Sequence, residues 1–288
     1  MNILITAASS GFGQLMVKDL LGAGHRVVGS MRDVAGRNAE TAQALKALGA
    51  DVVEIDVTDD ESVLAGVAAA EKTLGKIDIL INNAGVGAYG LQENFSADDF
   101  KRLFDINVFG VQRMIRAVVP GMRARGEGLV MNISSLLGRV AMPFYGPYNA
   151  TKWAIEAVTE NYRAELSAFG VEFVLVEPSG FPTGFIDNLM RPTSKDRDEG
   201  YGAMAEVPEA SLAAFEAMLE ENPQQNPQIV SDAVLSVIAQ ARGSRPFRTV
   251  VDRLGMAAPL EEYNEHLAQL TNGFFSNMGI ESMLSVRQ

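Results

Sequence analysis

Short apolar runs alternate along the first two thirds of the chain with longer segments in which apolar residues recur at helical spacing. The first run covers residues 2–6, and the helical pattern after it carries Leu15, Met16, Leu20 and Leu21. Further runs predict strands at 26–30, 51–55, 77–81, 128–134 and 171–177, with helices at about 38–48, 60–74 and 98–125 and from Pro147 onward. Buried strands that alternate with helices predict an α/β fold, a doubly wound parallel sheet flanked by helices on both faces.

The last third of the chain departs from this alternation. We expect a charged lid at residues 185–227, which contains an amphipathic helix and a proline-broken linker, and a last helix and strand within 228–251. Residues 252–288 form a C-terminal extension with a helix at about 260–270, and residues 1–288 together form a single domain. The extension carries apolar residues that need cover over the mouth of a binding site or on a neighbouring subunit, namely Phe274, Phe275, Met278 and Met283.

Composition narrows the class of protein. The 288 residues include 47% hydrophobic residues, enough for a buried core, and the net charge of −12 disfavours nucleic acid as a partner. The sequence has no cysteine, and its two histidines, His25 and His266, are too few for a zinc site, so we expect no metal. The amino terminus has no basic leader, and no apolar run reaches about 18 residues. We therefore expect a cytoplasmic protein that does not insert into a membrane.

Polar residues follow several of the predicted strands. Residues 6–13 contain two glycines between the first strand and the first helix, a turn that can hold a pyrophosphate against a helix N-terminus. The dinucleotide fingerprint G-x-G-x-x-G is absent there, so this turn alone is weak evidence. Arg32, Asp56 and residues 82–85 follow the next three strands, at the edge of the sheet where ligands bind in such folds.

A tyrosine and a lysine stand four residues apart after Pro147, a residue that suits the first turn of a helix. Tyr148 and Lys152 then share one helical face. A free phenol has a pKa of about 10, and an adjacent cation favours the phenolate. Of the six tyrosines only Tyr148 has a lysine at this spacing. The pair therefore predicts an acid or base, and the alternative is an ordinary surface pair.

Taken together, these motifs resemble the short-chain dehydrogenase/reductase family, in the subgroup whose cofactor turn reads T-G-x-x-x-G-x-G. The matching pieces are residues 6–13, residues 82–85, Asn107, Ser135 and Tyr148-x-x-x-Lys152. The resemblance implies a Rossmann-like dinucleotide-binding domain that transfers a hydride between a nicotinamide and a carbonyl or secondary alcohol. It also implies a homodimer or homotetramer that pairs through the helices containing Asn107 and Tyr148.

The resemblance assigns roles to four catalytic residues. Tyr148 would exchange a proton with the substrate oxygen, and Lys152 would lower the pKa of Tyr148 and bind the nicotinamide ribose. Ser135 would hydrogen-bond the same oxygen. Asn107 would position a backbone carbonyl and a water that link Lys152 to solvent. Ser134 competes with Ser135, but adjacent residues of an extended segment point to opposite faces, and Ser135 has the family interval of thirteen residues to Tyr148.

The resemblance also places the cofactor. At the end of the second strand, the family position of an acid that binds NAD is Met31, and Arg32 follows it, so we expect NADP(H), with NAD as the alternative if Asp33 binds the ribose. The sequence departs from the family at Ala7, where the turn has a glycine, and at Ser179, which separates Pro178 from Gly180. The expected contacts are Thr6, Ser9, Ser10, Gly11, Phe12, Gly13, Arg32, Asp56, Val57, Asn83, Ala84, Gly85, Tyr148, Lys152, Pro178, Gly180, Phe181 and Thr183.

Apolar residues near the expected substrate pocket predict a hydrophobic small-molecule carbonyl or alcohol as the substrate. They are Tyr89, Leu136, Leu137, Val140, Met142, Phe144, Tyr145, Phe181 and Phe185. Two other functions are compatible with the same pattern. One is a regulatory protein that binds the dinucleotide without chemistry, and the other is an epimerase or dehydratase of related fold.

Overall fold

Parallel strands form the centre of the molecule. The computed structural model describes residues 1–287. Its strands are β1 Asn2–Ile5, β2 Arg26–Met31, β3 Asp51–Glu54, β4 Ile79–Asn82, β5 Gly128–Ile133, β6 Val171–Pro178 and β7 Arg248–Val251. Within the described residues they form one seven-stranded sheet, parallel throughout, in the order β3-β2-β1-β4-β5-β6-β7.

Helices connect these strands and cover the sheet. They are α1 Gly11–Gly22, α2 Ala39–Ala47, α3 Asp60–Leu74, α4 Ala97–Phe104, α5 Gly110–Arg125, α6 Gly146–Ser167, α7 Asp198–Tyr201, α8 Val207–Glu221, α9 Gln228–Ala239 and α10 Ala257–Asn277. A π-helical turn, Asp105–Phe109, joins α4 to α5, so the single helix predicted at 98–125 is one helical rod with a widened turn in its middle.

Two apolar layers lie between the helices and the sheet. On one face, α1, α2 and α9 pack against the sheet through residues such as Met16 and Val234. On the other face, α3, α5 and α6 pack through residues such as Val67 and Ile115. These side chains are almost fully buried, which provides the hydrophobic stabilisation of both layers. The predicted doubly wound fold is confirmed.

The order of the strands reverses between β1 and β4. Connections from β1 run outward toward β2 and β3, whereas β4 begins the series that runs toward β7. A crevice therefore opens at the carboxyl ends of β1 and β4, which is where open α/β sheets bind ligands.

The segment after β6 docks on the globule at several points. Met190 pairs with the loop after β4, because Tyr89 N–H donates to the Met190 carbonyl at 3.0 Å and Met190 N–H donates to Gly87 at 2.9 Å. The Thr193 hydroxyl donates to buried Asp99 at 2.9 Å. The lid predicted at 185–227 thus consists of short helical turns and α8, tied to the rest of the domain at its beginning.

The C-terminal extension begins beside the crevice and ends on the surface. Asp252 caps α10 by accepting hydrogen bonds from the backbone N–H groups of Met256 and Ala257 at 2.7 and 3.2 Å. The helix is longer than the predicted 260–270. Leu270, Phe274 and Met278 are 70%, 63% and 62% exposed, so the expected cover over Phe274 and Met278 is absent within the described chain. No helix of residues 1–287 is long and apolar enough to cross a membrane.

Candidate active site

The turn after β1 brings the start of α1 to the point where the strand order reverses. Ala7 has a φ of 54° and Gly11 a φ of 53°, so the alanine takes the left-handed conformation that glycine adopts without strain. A Cβ on Gly13 would lie 2.2 Å from the Ala7 carbonyl oxygen, which explains the need for glycine there. Ala7 therefore preserves the glycine-type turn at a conformational cost.

Thr6 joins the ends of the two central strands from behind the crevice. Its hydroxyl accepts hydrogen bonds from the backbone N–H groups of Asn83 and Ala84 at 3.0 and 2.9 Å. The Asn83 side chain donates to the carbonyls of Thr6 and Ala7. The crevice is a cleft of about 800 Å³, and all predicted cofactor contacts line it except Thr6 and Gly13, which support its wall.

One end of the cleft carries two arginines. Arg32 and Arg37 both line it, together with Asn38, whose side chain donates to the Arg32 carbonyl at 2.6 Å. Asp33, with a φ of 49°, directs its carboxylate to the Arg37 N–H at 2.9 Å. That contact holds Asp33 within its own loop. Arg37 and Asn38 were not predicted, and the only signal in the sequence was a second arginine five residues after the first.

Asp56 faces the same end of the cleft but is already engaged. It accepts hydrogen bonds from Thr58 N–H at 2.9 Å and from the Thr58 hydroxyl at 2.7 Å, and it lies 3.9 Å from the Arg32 guanidinium. Partial burial raises the pKa of Asp56, but the Thr58 hydrogen bonds and the Arg32 charge outweigh it and lower the pKa. Asp56 is thus an ionised partner of Arg32.

Ser135, Tyr148 and Lys152 meet at the carboxyl end of β5. Lys152 Nζ donates to the Ile133 carbonyl at 2.8 Å and lies 5.5 Å from the centre of the Tyr148 ring. The Ser135 hydroxyl accepts from Leu137 N–H at 3.1 Å and stands close enough to the Tyr148 phenol to lower its pKa. All three residues line the cleft.

Ser134, the competing serine, has its hydroxyl in a different environment. That hydroxyl is buried without a hydrogen-bond partner among residues 1–287, and it lies 2.9 Å from where a Cβ on Gly138 would be. The side chain of Glu156 approaches the same point at 3.1 Å. Ser134 thus points toward Gly138 and Glu156, whereas Ser135 points toward Tyr148.

Asn107 lies behind the site, in the π-helical turn. Its side-chain oxygen accepts from Val86 N–H at 2.9 Å, and its amide donates to the Val86 carbonyl at 2.8 Å and to the Thr151 hydroxyl at 3.1 Å. It therefore ties the loop after β4 to the turn of α6 that carries Lys152. Asn107 itself does not line the cleft. Single π-helical turns often occur at functional sites, as this one does.

A buried cluster of charges lies one turn of α6 beyond Lys152. Glu156 pairs with Arg139 and with the Nε of Arg248, the latter at 3.0 Å. Glu177, at the end of β6, pairs with Arg139 at 3.3 Å and accepts from the Asn264 amide of α10 at 2.6 Å. Burial and the neighbouring Glu156 raise the pKa of Glu177, and the arginines and Asn264 oppose that rise. The cluster anchors the strand end that precedes Pro178 and Gly180.

The other end of the cleft is apolar. Of the predicted substrate-side residues, Tyr89 and Phe144 pack in a core cluster instead, whereas the others line the cleft. The extension contributes Leu254, Met256 and Leu260 to the wall, so it packs over the mouth of the site. The wall also includes residues that the sequence did not identify, namely Ile186, Asn188 and Phe215.

Comparison with known proteins identifies the family. A family model described as short chain dehydrogenase matches residues 1–193, two thirds of the chain. The protein is a short-chain dehydrogenase/reductase. A 3-ketodihydrosphingosine reductase from Bacteroides thetaiotaomicron is 35% identical over 252 residues, which cover 88% of each chain. Human retinol dehydrogenase 8 is 33% identical over 83% of this chain and 78% of its own.

A solved structure agrees with this family. A short-chain dehydrogenase/reductase from Burkholderia phymatum in complex with NAD has a TM-score of 0.74 and 26% identity, and the match covers 93% of this chain and 95% of that one. These likenesses establish an NAD(P)-dependent oxidoreductase with a Rossmann-like fold. They favour the oxidoreductase over the regulatory protein and over the epimerase or dehydratase.

Burial shifts the two ionisable residues of the candidate catalytic group, Tyr148 and Lys152, toward their neutral forms. It raises the pKa of Tyr148, against the hydrogen bond from Ser135. It lowers the pKa of Lys152 to about 8, against the charge of Glu156. We expected Lys152 to lower the pKa of Tyr148, but burial raises it instead. Lys152 Nζ donates to the Ile133 carbonyl and lies 5.5 Å from the centre of the Tyr148 ring.

The strained turn of the dehydrogenase yields a first prediction. Ala7→Gly should raise the free energy of unfolding by about 0.5 to 1 kcal/mol, because glycine adopts the positive φ without the clash of a Cβ. Ala8→Gly is the matched control, because Ala8 is fully buried and has no positive φ. The free energy of unfolding of this variant should fall by about 1 kcal/mol. Urea unfolding measures both. A loss of stability in Ala7→Gly would contradict the strain assigned to this turn.

Buried Lys152 yields a prediction on pH. Its ordinary pKa is 10.5 and its folded pKa is about 8. Below pH 8 the cost of burying the ammonium is present in full, and it fades between about pH 8 and 10.5, where the unfolded chain binds more protons. The pKa difference of about 2.5 corresponds to about 3 kcal/mol. Lys152→Met should therefore be more stable than the parent at pH 7, by up to that amount, and should lose the advantage by pH 10.5.

Urea unfolding at pH 7, 9 and 10.5 would measure this difference. Lys18→Met is the control, since Lys18 is exposed on α1 and its removal should leave the pH dependence unchanged. If Lys152→Met and the parent showed parallel pH dependence, Lys152 would not be the buried cation assigned here.

Proposed function

We propose that the protein is an NADP(H)-dependent oxidoreductase that acts on a carbonyl or secondary alcohol of a hydrophobic small molecule. One observation carries the proposal. Ser135, Tyr148 and Lys152 meet in the middle of one cleft that has arginines at one end and apolar walls at the other. The cleft can thus hold a dinucleotide phosphate and an apolar substrate with the reacting groups between them.

Each catalytic residue has a role that its surroundings support. The bound nicotinamide supplies or accepts the hydride. Tyr148 gives the proton to the substrate oxygen in reduction, and its raised pKa keeps the phenol protonated for that step. Ser135 donates a hydrogen bond to the same oxygen as it gains negative charge. Lys152 would contact the nicotinamide ribose, and Asn107 holds the backbone around it.

The preference for NADP(H) rests on the two arginines. A 2′-phosphate needs cations with several N–H donors, and guanidinium groups bind phosphate in pairs of hydrogen bonds. Arg32 has a side chain 55% exposed toward this end of the cleft, and Arg37 stands in the same wall. The alternative acid, Asp33, is engaged by the Arg37 N–H.

The apolar end of the cleft supports a hydrophobic substrate. Leu136, Phe185 and the extension residue Leu260 line the same cleft as Tyr148, and the centre of the Phe185 ring lies 5.6 Å from that of Tyr148. The names of two relatives, a 3-ketodihydrosphingosine reductase and a retinol dehydrogenase, agree with a carbonyl or an alcohol as the reacting group.

Exposed aromatic residues support a homodimer or homotetramer. Phe109, next to α5, and Trp153, on α6, are 50% and 42% exposed. They belong to the two helical segments through which the family resemblance predicts pairing. Covering such side chains with a second copy would remove apolar surface from water.

Cofactor titration tests the choice of nucleotide. Arg32→Ala and Arg37→Ala should each raise the Kd for NADPH about tenfold, because a hydrogen bond to a charged group contributes about 1.5 kcal/mol or more. The Kd for NADH should change less than about twofold. Calorimetry on the apo protein measures both, and Arg123→Ala, an exposed arginine of α5, is the control. Equal affinity of the parent for NADPH and NADH would contradict the assignment.

Removal of the phenol hydroxyl tests the chemistry. Tyr148→Phe should lower kcat by about a hundredfold to ten-thousandfold, the contribution typical of a general acid, and should leave the Kd for NADPH close to that of the parent. Tyr162→Phe is the control, because Tyr162 lies farther along α6 and its hydroxyl donates to Gln112 at 2.9 Å. The assay follows absorbance of the reduced nicotinamide with a panel of apolar ketones. If Tyr148→Phe retained the turnover of the parent, Tyr148 would not be the proton donor proposed here.

A further inference from the structure

Tyr145 lies three residues before Tyr148, at the start of α6, and lines the same cleft. It is 7% exposed. Its ring packs edge-on against Tyr89, with ring centres 4.6 Å apart, and lies 6.4 Å from the ring of Tyr148. The phenol is thus held rigidly next to the reacting position, and the mechanism does not use it.

The Tyr145 hydroxyl has no hydrogen-bond partner among residues 1–287. Other tyrosines of the chain are satisfied: Tyr89 donates to the Pro208 carbonyl at 2.9 Å, and Tyr162 donates to Gln112 at 2.9 Å. The Tyr145 oxygen is not among the buried polar atoms of residues 1–287 that lack a partner, so within this largely buried side chain the hydroxyl stays accessible from the cleft. A hydroxyl that faces the cleft without an internal partner is therefore available to a group that the ligand brings.

The surroundings indicate the chemistry of that group. Burial raises the pKa of Tyr145 to about 12, so the phenol stays protonated and uncharged near neutral pH. Two charged side chains on the side of α8 also affect the pKa of the Tyr145 hydroxyl: Arg191 lowers it and Glu216 raises it. Arg191 is paired with Glu209 at 3.0 Å, so it offers no unpaired positive charge to an anionic ligand group. The ligand group that faces the Tyr145 hydroxyl is therefore more favourable as an uncharged hydrogen-bond donor or acceptor than as a carboxylate.

We propose that Tyr145 hydrogen-bonds a second, uncharged polar group of the substrate, a hydroxyl or carbonyl close to the reacting carbon. The proposal rests on the proposed function and narrows its substrate class from apolar ketones to apolar ketones with a neighbouring oxygen function. A site with a buried polar group rejects analogues that leave it unpaired more strongly than an apolar wall rejects a change of size.

Three ketones of equal chain length test the proposal. They are methyl octyl ketone and its two hydroxylated forms, with the hydroxyl on the methyl carbon or on the second carbon of the octyl chain. The parent should prefer one hydroxylated form, and Tyr145→Phe should reduce that preference in kcat/KM about tenfold, mainly through KM. Turnover of the plain ketone by each protein is the reference for that preference. Comparing preferences in the two proteins cancels the different intrinsic reactivity of the ketones.

Two controls separate substrate binding from folding. Tyr145→Phe keeps the ring and breaks no internal hydrogen bond, so its Tm should be no lower than that of the parent. Tyr89→Phe loses the bond to Pro208 but should keep the parent's preference, because Tyr89 does not line the cleft. An identical preference in the parent and in Tyr145→Phe would overturn the proposal.

A failure of the proposed function gives a different result. If the parent binds NADPH and turns over none of the three ketones, the proposed function fails for this substrate class. Calorimetric Kd values for the ketones on the NADPH complex then decide on Tyr145 separately. Tighter binding of a hydroxylated form that Tyr145→Phe loses would support the proposal, and the absence of any such difference would overturn it.

Discussion

The buried face of α6 carries a row of ionisable side chains at four-residue intervals, and the site depends on it. Tyr148, Lys152 and Glu156 follow one another along this face, against the ends of β5 and β6. A buried charge costs several kcal/mol unless it is paired. The Ile133 carbonyl accepts a hydrogen bond from the Lys152 ammonium, and Glu156 forms salt bridges with Arg139 and Arg248. The same contacts that make burial tolerable hold Tyr148 and Lys152 at the cleft.

Burial also determines the protonation states available to the chemistry. It favours the neutral forms of both Tyr148 and Lys152, since it raises the pKa of the phenol and lowers that of the ammonium to about 8. The charge of Glu156 opposes this effect on the pKa of Lys152. The charged cluster beneath the site thus has an electrostatic effect on Lys152 in addition to its structural one.

Local spacing was enough to predict which residues the fold brings together. Tyr148 and Lys152 are helical neighbours, and Ser135 follows a strand whose end lies at the same edge as the turn after β1, so the topology brings them together. Contacts between distant segments were not predictable from spacing. Arg37 lines the cleft from a loop in which Asp33 takes a left-handed conformation, and the widened turn at Asn107 interrupts a pattern that predicts one regular helix. The presence of Leu254, Met256 and Leu260 in the cleft wall depends on how the extension packs against the domain, which spacing does not predict.

The first half of the extension forms part of the candidate active-site cleft. Asp252 caps α10 and thereby places Met256 and Leu260 in the wall of the cleft. The Asn264 amide donates to Glu177, which is fully buried immediately before Pro178, one of the predicted cofactor contacts. Without α10, Glu177 would lose that hydrogen bond, and the apolar end of the cleft would lose a wall. The extension therefore shapes the apolar end of the cleft and supports the adjoining end of β6, although the family motifs all lie in the first two thirds of the chain.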